Sequence, residues 1–376
     1  MGSKRAMLGN GLGEALGRSI AKADRVFDLF TGSAAVAWHV AEKHGKEVLA
    51  GDLQTYSAVL AASVIERTEP IVDRAWIESW MLRALERVTA HKQWQDIRQI
   101  QESLGKVSAS EASSNARNVN FGEGYPISSA YGGYYFSPWQ SVWIDALRKS
   151  LPDAEDLRNV GLAALIQAAS RCAASPGHTA QPFKPNETAG PYLIDAWLKD
   201  LPAILLKRID DIARRKANKK GCAYCMNASE LAEMARPGDL VFLDPPYSGV
   251  HYSRFYHVLE SIARGEVGDV TGSGRYPERR ERPSSDFSML STSKRALNDL
   301  LEILARQQAS VIITFPAGKA SNGLSGDDVK ATAGDHFRLE EAKVSSRFST
   351  LGGDSKHRAA RQQADELILT LSSRPN

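Results

Sequence analysis

Leu240-Val241-Phe242-Leu243-Asp244-Pro245-Pro246-Tyr247 is an apolar run that stops on a carboxylate, two prolines and a phenol. Four consecutive apolar residues closed by a chain breaker read as a strand buried on both faces of a parallel sheet. The strand therefore carries Asp244 and Tyr247 at its carboxyl tip, the edge at which open α/β sheets bind ligands. The two prolines fix φ and remove backbone donors, so the loop is stiff and presents carbonyl oxygens. Acceptors held beside a flat aromatic face suit a planar ring bearing an amino group, such as a nucleobase. Taken alone, the same residues also describe a proline-rich turn after a strand.

A second pattern stands upstream. Residues 25–30 (Arg-Val-Phe-Asp-Leu-Phe) read as a short buried strand, followed by Thr31-Gly32-Ser33-Ala34-Ala35 and a helical spacing of Val36, Ala37, Val40 and Ala41. Residues 47–51 read as the next strand and end on Asp52. Strand, small-residue turn, helix, strand and acid form a nucleoside-binding α/β unit, in which small residues admit the ligand to the backbone and the acid accepts from ribose hydroxyls. A full G-x-G-x-x-G is absent, which argues against a dinucleotide.

With both patterns in hand, Asp244-Pro-Pro-Tyr247 resembles the catalytic motif of the amino-methyltransferases that modify adenine N6 or cytosine N4 in DNA, and Phe30-x-Gly32-x-Ala34 resembles their S-adenosylmethionine motif, which usually ends in Gly. The resemblance implies that Asp244 and the Pro245 carbonyl accept hydrogen bonds from the exocyclic amine, that Pro246 completes the rigid catalytic loop, and that Tyr247 stacks on the flipped base. A base inside a duplex cannot be reached without leaving the stack. Gly2-Ser3-Lys4-Arg5 resembles the family's N-terminal element, although no aromatic residue stands before it in this sequence. The resemblance places S-adenosylmethionine against Lys4, Arg5, Asp28, Phe30, Gly32, Ser33, Asp52, Asn227 and Asp244. Asn227 stands where the family usually has Asp, and its amide oxygen can still accept from an adenine amine. Tyr252, in the segment after the motif, is expected to wall the base pocket together with Tyr247.

The expected fold is α/β: a Rossmann-like S-adenosylmethionine-dependent methyltransferase sheet built from residues 1–88 and 216–376, with an inserted, mostly helical target-recognition domain at 89–215. Within the insertion, residues 91–104 read as a polar helix and the Gly-, Ser- and Asn-rich stretch 105–130 as a loop. Helices are expected through Trp143 to Leu151, through Leu162 to Ala169, and as one last helix over 192–216. Tyr135-Phe-Ser-Pro138 and Ile144-Asp-Ala-Leu-Arg148 resemble a segment typical of these enzymes. The aromatic cluster Tyr131, Tyr134, Tyr135, Phe136 and Trp139 reads as core packing rather than base stacking, and His257 as a packed helix-start residue.

The chain has 376 residues, 43% of them hydrophobic and 24% charged, within the range of globular proteins. No apolar run reaches the length of a bilayer span, and no secretory leader is read, so no membrane partner is expected. Three cysteines do not make a disulfide framework, which points to a reducing cytoplasm; Cys222-Ala-Tyr-Cys225 is a lone C-x-x-C, and no metal is expected. Net charge is only +3, but basic residues gather in 207–220, at Arg275, Arg279, Arg280 and Arg282, and around Lys356 and Arg358. The last two groups are the candidate contacts to double-stranded DNA, against the alternative of solvated loops. The reading is a DNA adenine-N6 methyltransferase, with a cognate restriction or defence protein as a possible partner. The alternatives are a cytosine-N4 enzyme, whose family more often carries Ser in place of Asp244, and a recognition subunit without turnover.

Overall fold

The computed structural model describes residues 4–347 and 363–374. Among them nine strands occur: β1 (Arg25–Asp28), β2 (Glu47–Asp52), β3 (Cys222–Cys225), β4 (Leu240–Leu243), β5 (Val270–Thr271), β6 (Tyr276–Pro277), β7 (Ser310–Pro316), β8 (Phe337–Arg347) and β9 (Gln363–Ser373). Seven form one sheet in the order β3-β2-β1-β4-β7-β9-β8. Pairing is parallel from β3 to β7 and antiparallel for β7-β9 and β9-β8. This is the mixed, mostly parallel α/β sheet expected of a Rossmann-like methyltransferase. Leu240–Leu243 is buried at every position, as a strand covered on both faces must be.

Chain order reverses beside β1, with β2 on one side and β4 on the other. Open α/β sheets bind their ligands in the crevice that such a reversal opens at the strands' carboxyl ends. Asp28 ends β1, and Asp244 follows the end of β4 by one residue.

By contacts the chain divides into two compact units: residues 1–68, 216–252 and 284–376, and residues 69–215 and 253–283. The sequence expectation drew its boundary at 88/89 and kept 253–283 with the sheet. The first unit holds the sheet, with Phe27, Leu49, Val241, Leu243, Ile313, Phe315 and Leu369 in one apolar core. The second is mostly helical. Its helix Ala75–Thr89 is fixed by the buried Trp80 indole, which donates to Leu147 O at 2.9 Å. Residues 253–283 bring a further helix, His257–Arg264, whose last carbonyls at Ile262, Ala263 and Arg264 receive the Arg148 guanidinium at 3.0, 2.9 and 3.2 Å.

Two expectations are corrected. Residues 105–130 are not one loop: Ala109–Arg117 and Pro126–Tyr131 are helices. Ser108 caps the first by accepting from Glu111 N, and Ala112 and Ala116 bury its inner face in a cluster with Leu193 and Trp197. The expected helix over 192–216 is two, Gly190–Trp197 and Leu201–Ala213, because Asp200 caps a new helix whose first turn holds Pro202. Tyr131, Tyr135 and Phe136 are fully buried, in line with the core-packing reading.

Candidate active site

The first acidic group gathers where β1 and β2 end. Gly32 has φ +51° and Ala34 φ +60°, so the turn after β1 is left-handed at two positions. Ala34, where the related motif usually has Gly, adopts that conformation with a Cβ, at roughly 1–2 kcal/mol of strain. The turn exposes Ser33 and aims the Gly32 N–H at Asp52 Oδ2, 2.9 Å away, while Gln54 N donates to Asp52 Oδ1 at 3.0 Å. Asp52 is thus fixed at the strand tip by two backbone donors.

Asp28 is buried behind this turn. Burial, with Asp244 and then Asp52 adding like charge, pushes its carboxyl up to about 8. Its Oδ1 has no hydrogen-bond partner among the described residues, nor has Oε1 of the buried Gln54. Unsatisfied buried acceptors are rare, and at a strand end they suit a ligand that donates hydrogen bonds. Phe30 meets Phe287 edge-on at 5.1 Å and forms an aromatic wall beside the turn. An acid at the strand tip, open acceptors and an aromatic edge form an acceptor set that would fit the hydroxyls and amine of an adenine nucleoside.

The second group surrounds Asp244. Lys4 Nζ lies 3.0 Å from Asp244 Oδ1 and also pairs with Glu366, which stands on β9. Thr314, on β7, donates to the same Asp244 Oδ1 at 3.1 Å. Burial pulls the Lys4 ammonium down, but Asp244 and Glu366 outweigh it and leave its pKa above the ordinary lysine value. Burial, with Asp244 adding to it against the Lys4 charge, raises Glu366. Two donors on Oδ1 orient the Asp244 carboxylate. Pro245 is buried, while Pro246 and Tyr247 are half-buried, with the Tyr247 ring edge-on to Phe315 at 6.3 Å.

The other expected residues are placed less uniformly. Arg5 is exposed. Asn227 is exposed and caps the helix Ala228–Ala232, its side-chain oxygen accepting from Ser229 N at 2.9 Å and from Glu230 N, so two backbone donors already engage it. Tyr252 opens the short helix Tyr252–Phe255. Arg275 is committed internally: Nε donates to Ala130 O at 2.7 Å, Nη2 to Ser129 O at 3.2 Å, and the guanidinium covers the Tyr134 ring at 4.4 Å. Arg279 and Arg280 are exposed, Arg280 paired with Glu278 at 2.7 Å, and Arg282 is half-buried beside Tyr276. Lys356 and Arg358 lie outside the described residues. His257 is a packed residue: Nε2 meets Gly274 O at 2.9 Å, and burial drives its pKa down to about 4.

Sequence reasoning passed over Thr314, Glu366 and Gln54. The available signal for Thr314 was a lone hydroxyl in the apolar run Val311-Ile-Ile-Thr-Phe315, and for Glu366 an acid at the head of an apolar strand. Among the described residues, no group of three or more His, Cys, Asp or Glu could hold a metal ion, and no helix is long and apolar enough to cross a membrane.

Comparison with known proteins bears on the same segments. The chain is 26% identical over 262 residues to the Type II methyltransferase M.NlaIII of Neisseria lactamica, covering 67% of this chain and 64% of that protein. It is 35% identical over 95 residues to the Type II methyltransferase M.FokI of Planomicrobium okeanokoites, covering 25% and 14% of the two chains. It is 31% identical over 124 residues to the modification methylase LlaI of Lactococcus lactis subsp. lactis, covering 31% and 19%. The match thus spans less than two thirds of each of these relatives. The family model of the D12 class N6 adenine-specific DNA methyltransferases matches residues 1–117 and 182–304, which include both strand-end groups as far as Asp244 and its loop. The chain belongs to the D12 class of N6 adenine-specific DNA methyltransferases.

Proposed function

We propose that this protein transfers a methyl group from S-adenosylmethionine to adenine N6 in double-stranded DNA, after the target base has left the stack. The observation that carries the reading is the Asp244 carboxylate at the tip of β4, with Lys4 and Thr314 both on Oδ1. That arrangement keeps Oδ2 for an exocyclic amine, and the Pro245 carbonyl next to it is the second acceptor. An amine conjugated to its ring is a poor nucleophile. Acceptors placed where positive charge develops on nitrogen redirect its lone pair and stabilise the transition state. The rest is positioning, which fixed groups on strand ends supply well. Tyr247, backed by Phe315, offers a face to the flipped base, and Tyr252 walls the pocket.

S-adenosylmethionine, when bound, supplies an electrophilic methyl group. Asp52 takes the ribose hydroxyls, Asp28 and the turn at Phe30, Gly32 and Ser33 line the nucleoside, and Asn227 stands on the side of the adenine. Lys4 and Arg5 close the pocket. Arg279, Arg280 and Arg282 of the helical unit contact the DNA backbone, and Lys356 and Arg358 are further candidate phosphate contacts. The protein works in the cytoplasm, and a restriction nuclease of the same recognition sequence is its natural partner.

The test is incubation with methyl-labelled cofactor and unmethylated genomic DNA, followed by digestion to nucleosides and mass spectrometry. Labelled N6-methyladenine nucleoside, lost in Asp244→Ala while cofactor binding persists, is the expected result. Labelled N4-methylcytosine would keep the site but overturn the base. Absence of label from a cofactor-binding protein would favour a recognition subunit without turnover.

A further inference from the structure

Beyond the residues that touch substrate or cofactor, the structure assigns a positioning role to Asn322, which clamps the Pro-Pro-Tyr loop to the segment behind it. This inference rests on the reaction proposed above. Asn322 is fully buried in the turn after β7. Its Nδ2 donates to Pro246 O at 2.9 Å and to Phe287 O at 3.0 Å, and its Oδ1 accepts from Leu324 N at 3.2 Å. Its own backbone N–H points at Tyr247 O, 3.4 Å away, and its carbonyl accepts from Ser293 Oγ at 2.9 Å. One side chain therefore joins the catalytic loop, the Phe287 turn and the β7 turn. The two carbonyl partners fix the amide's orientation, because only the NH2 end can serve both.

The chemistry of the loop explains the need. Prolines at 245 and 246 have no N–H, so the loop cannot hold itself by backbone donation and must be held through its carbonyls. Fixing the Pro246 carbonyl sets the plane of the peptide between Pro246 and Tyr247. That plane in turn sets the direction of the Tyr247 ring on one side and of the Pro245 carbonyl on the other. The loop's next residues are held to the same turn: Gly249 N donates to Ser321 Oγ at 2.9 Å, and a Cβ at Gly249 would stand 2.6 Å from Ser321 O. The Phe287 end of the clamp supports the ring that packs on Phe30, so a single amide relates the loop of the proposed base site to the wall of the proposed cofactor site. All these groups belong to the sheet unit.

Asn322→Asp tests the role, because it preserves shape and the bond to Leu324 but removes both donated bonds. Ser325→Ala is the control for general loss of stability: Ser325 caps the neighbouring helix Gly326–His336 and lies outside the clamp. Hydrogen exchange of the peptide covering 246–250 is expected to rise at least fivefold in Asn322→Asp and to stay unchanged in Ser325→Ala. Single-turnover methyl transfer is expected to fall at least 20-fold in Asn322→Asp, with cofactor Kd within threefold of the parent. Unchanged exchange in Asn322→Asp, an equal rise in the control, or full transfer despite faster exchange would each overturn the assignment. The parent's labelled product judges the adenine reading separately. If the parent transfers no methyl group, the exchange comparison alone still decides whether the clamp exists.

Discussion

Asp28 ends β1 and Asp244 follows the end of the adjacent β4, so the molecule keeps two carboxyl groups close together, and burial disfavours charge on Asp28. It does so by treating them differently. Asp244 has Lys4 and Thr314 on one oxygen, whereas Asp28 is buried with one oxygen unpartnered and is pushed up to about 8. The folded-state value lies above the unfolded one, so the folded protein binds an extra proton between about pH 4 and about 8. The stability this group contributes is therefore complete below about pH 4 and is lost as pH rises towards 8. We expect the Tm of the parent to fall from pH 5 to pH 8 more steeply than that of Asp28→Asn, which cannot ionise. Parallel pH profiles of the two proteins in scanning calorimetry would exclude the assignment. Asp52 and Asp244 stand out in the sequence because each closes an apolar run, whereas Asp28 enters only through the family resemblance. Thr314 and Glu366 were not, since they reach Asp244 only through strand register: Ile313 pairs with both Leu243 and Leu369, and Glu366 pairs with Pro316.

At the scale of elements, the central strands announced themselves by apolar runs that end in breakers, whereas the helical unit hid its caps. The segment Ile144-Asp145-Ala-Leu-Arg148 stood out only by family likeness, and its two polar side chains prove to be helix terminators for other elements. Asp145 is buried and accepts from Ile127 N, Ser128 N and Ser128 Oγ at 3.0, 2.8 and 2.7 Å, which caps the helix Pro126–Tyr131. Burial pushes its carboxyl up to about 7 against those three bonds. Arg148 does the converse at the end of His257–Arg264. No local pattern reveals such caps, because donor and acceptor lie 17 and 114 residues apart in the chain. The 105–130 stretch was misread for a related reason: its Ser-rich helix is held by buried alanines and a cap rather than by an apolar stripe. Asp145→Ala leaves three buried donors without their acceptor, at about 1–3 kcal/mol per unpaired group before relaxation. A loss of about 3 kcal/mol is expected in urea unfolding. A loss below 1 kcal/mol would show that water or neighbouring groups replace the carboxylate.

At the scale of the whole molecule, the sequence expectation and the two compact units draw the first boundary at different places, at 88/89 and at 68/69. Helix Ala75–Thr89 looks like a continuation of the first half by periodicity, and its bonds from Trp80 to Leu147 O and from Arg83 and Arg87 to Ser150 assign it to the helical unit. Charge gave a similarly partial answer. A net charge of +3 says little about DNA, so the contribution of each arginine has to be read from what already engages it. Arg275 donates to two carbonyls and stacks on Tyr134, which makes it a support of the helical unit. Arg279 is exposed, and Arg280 is exposed with an exchangeable partner in Glu278. Surface pairs of that kind are worth ~1 kcal/mol or less, so a phosphate can displace the glutamate at little cost. Each phosphate neutralised contributes roughly −0.9 to the slope of log K against log salt. The double variant Arg279→Ala, Arg280→Ala is therefore expected to bind duplex DNA more weakly at low salt, with the slope shallower by about one to two and an unchanged Tm. Arg275→Ala is expected to lower Tm first, with loss of DNA binding following only as the fold is lost. Fluorescence anisotropy titrations across a salt series, run beside thermal melts, separate the two classes. A shallower salt slope in Arg275→Ala at full stability, with none in the double variant, would invert the assignment and move the phosphate contact to the Tyr134 face.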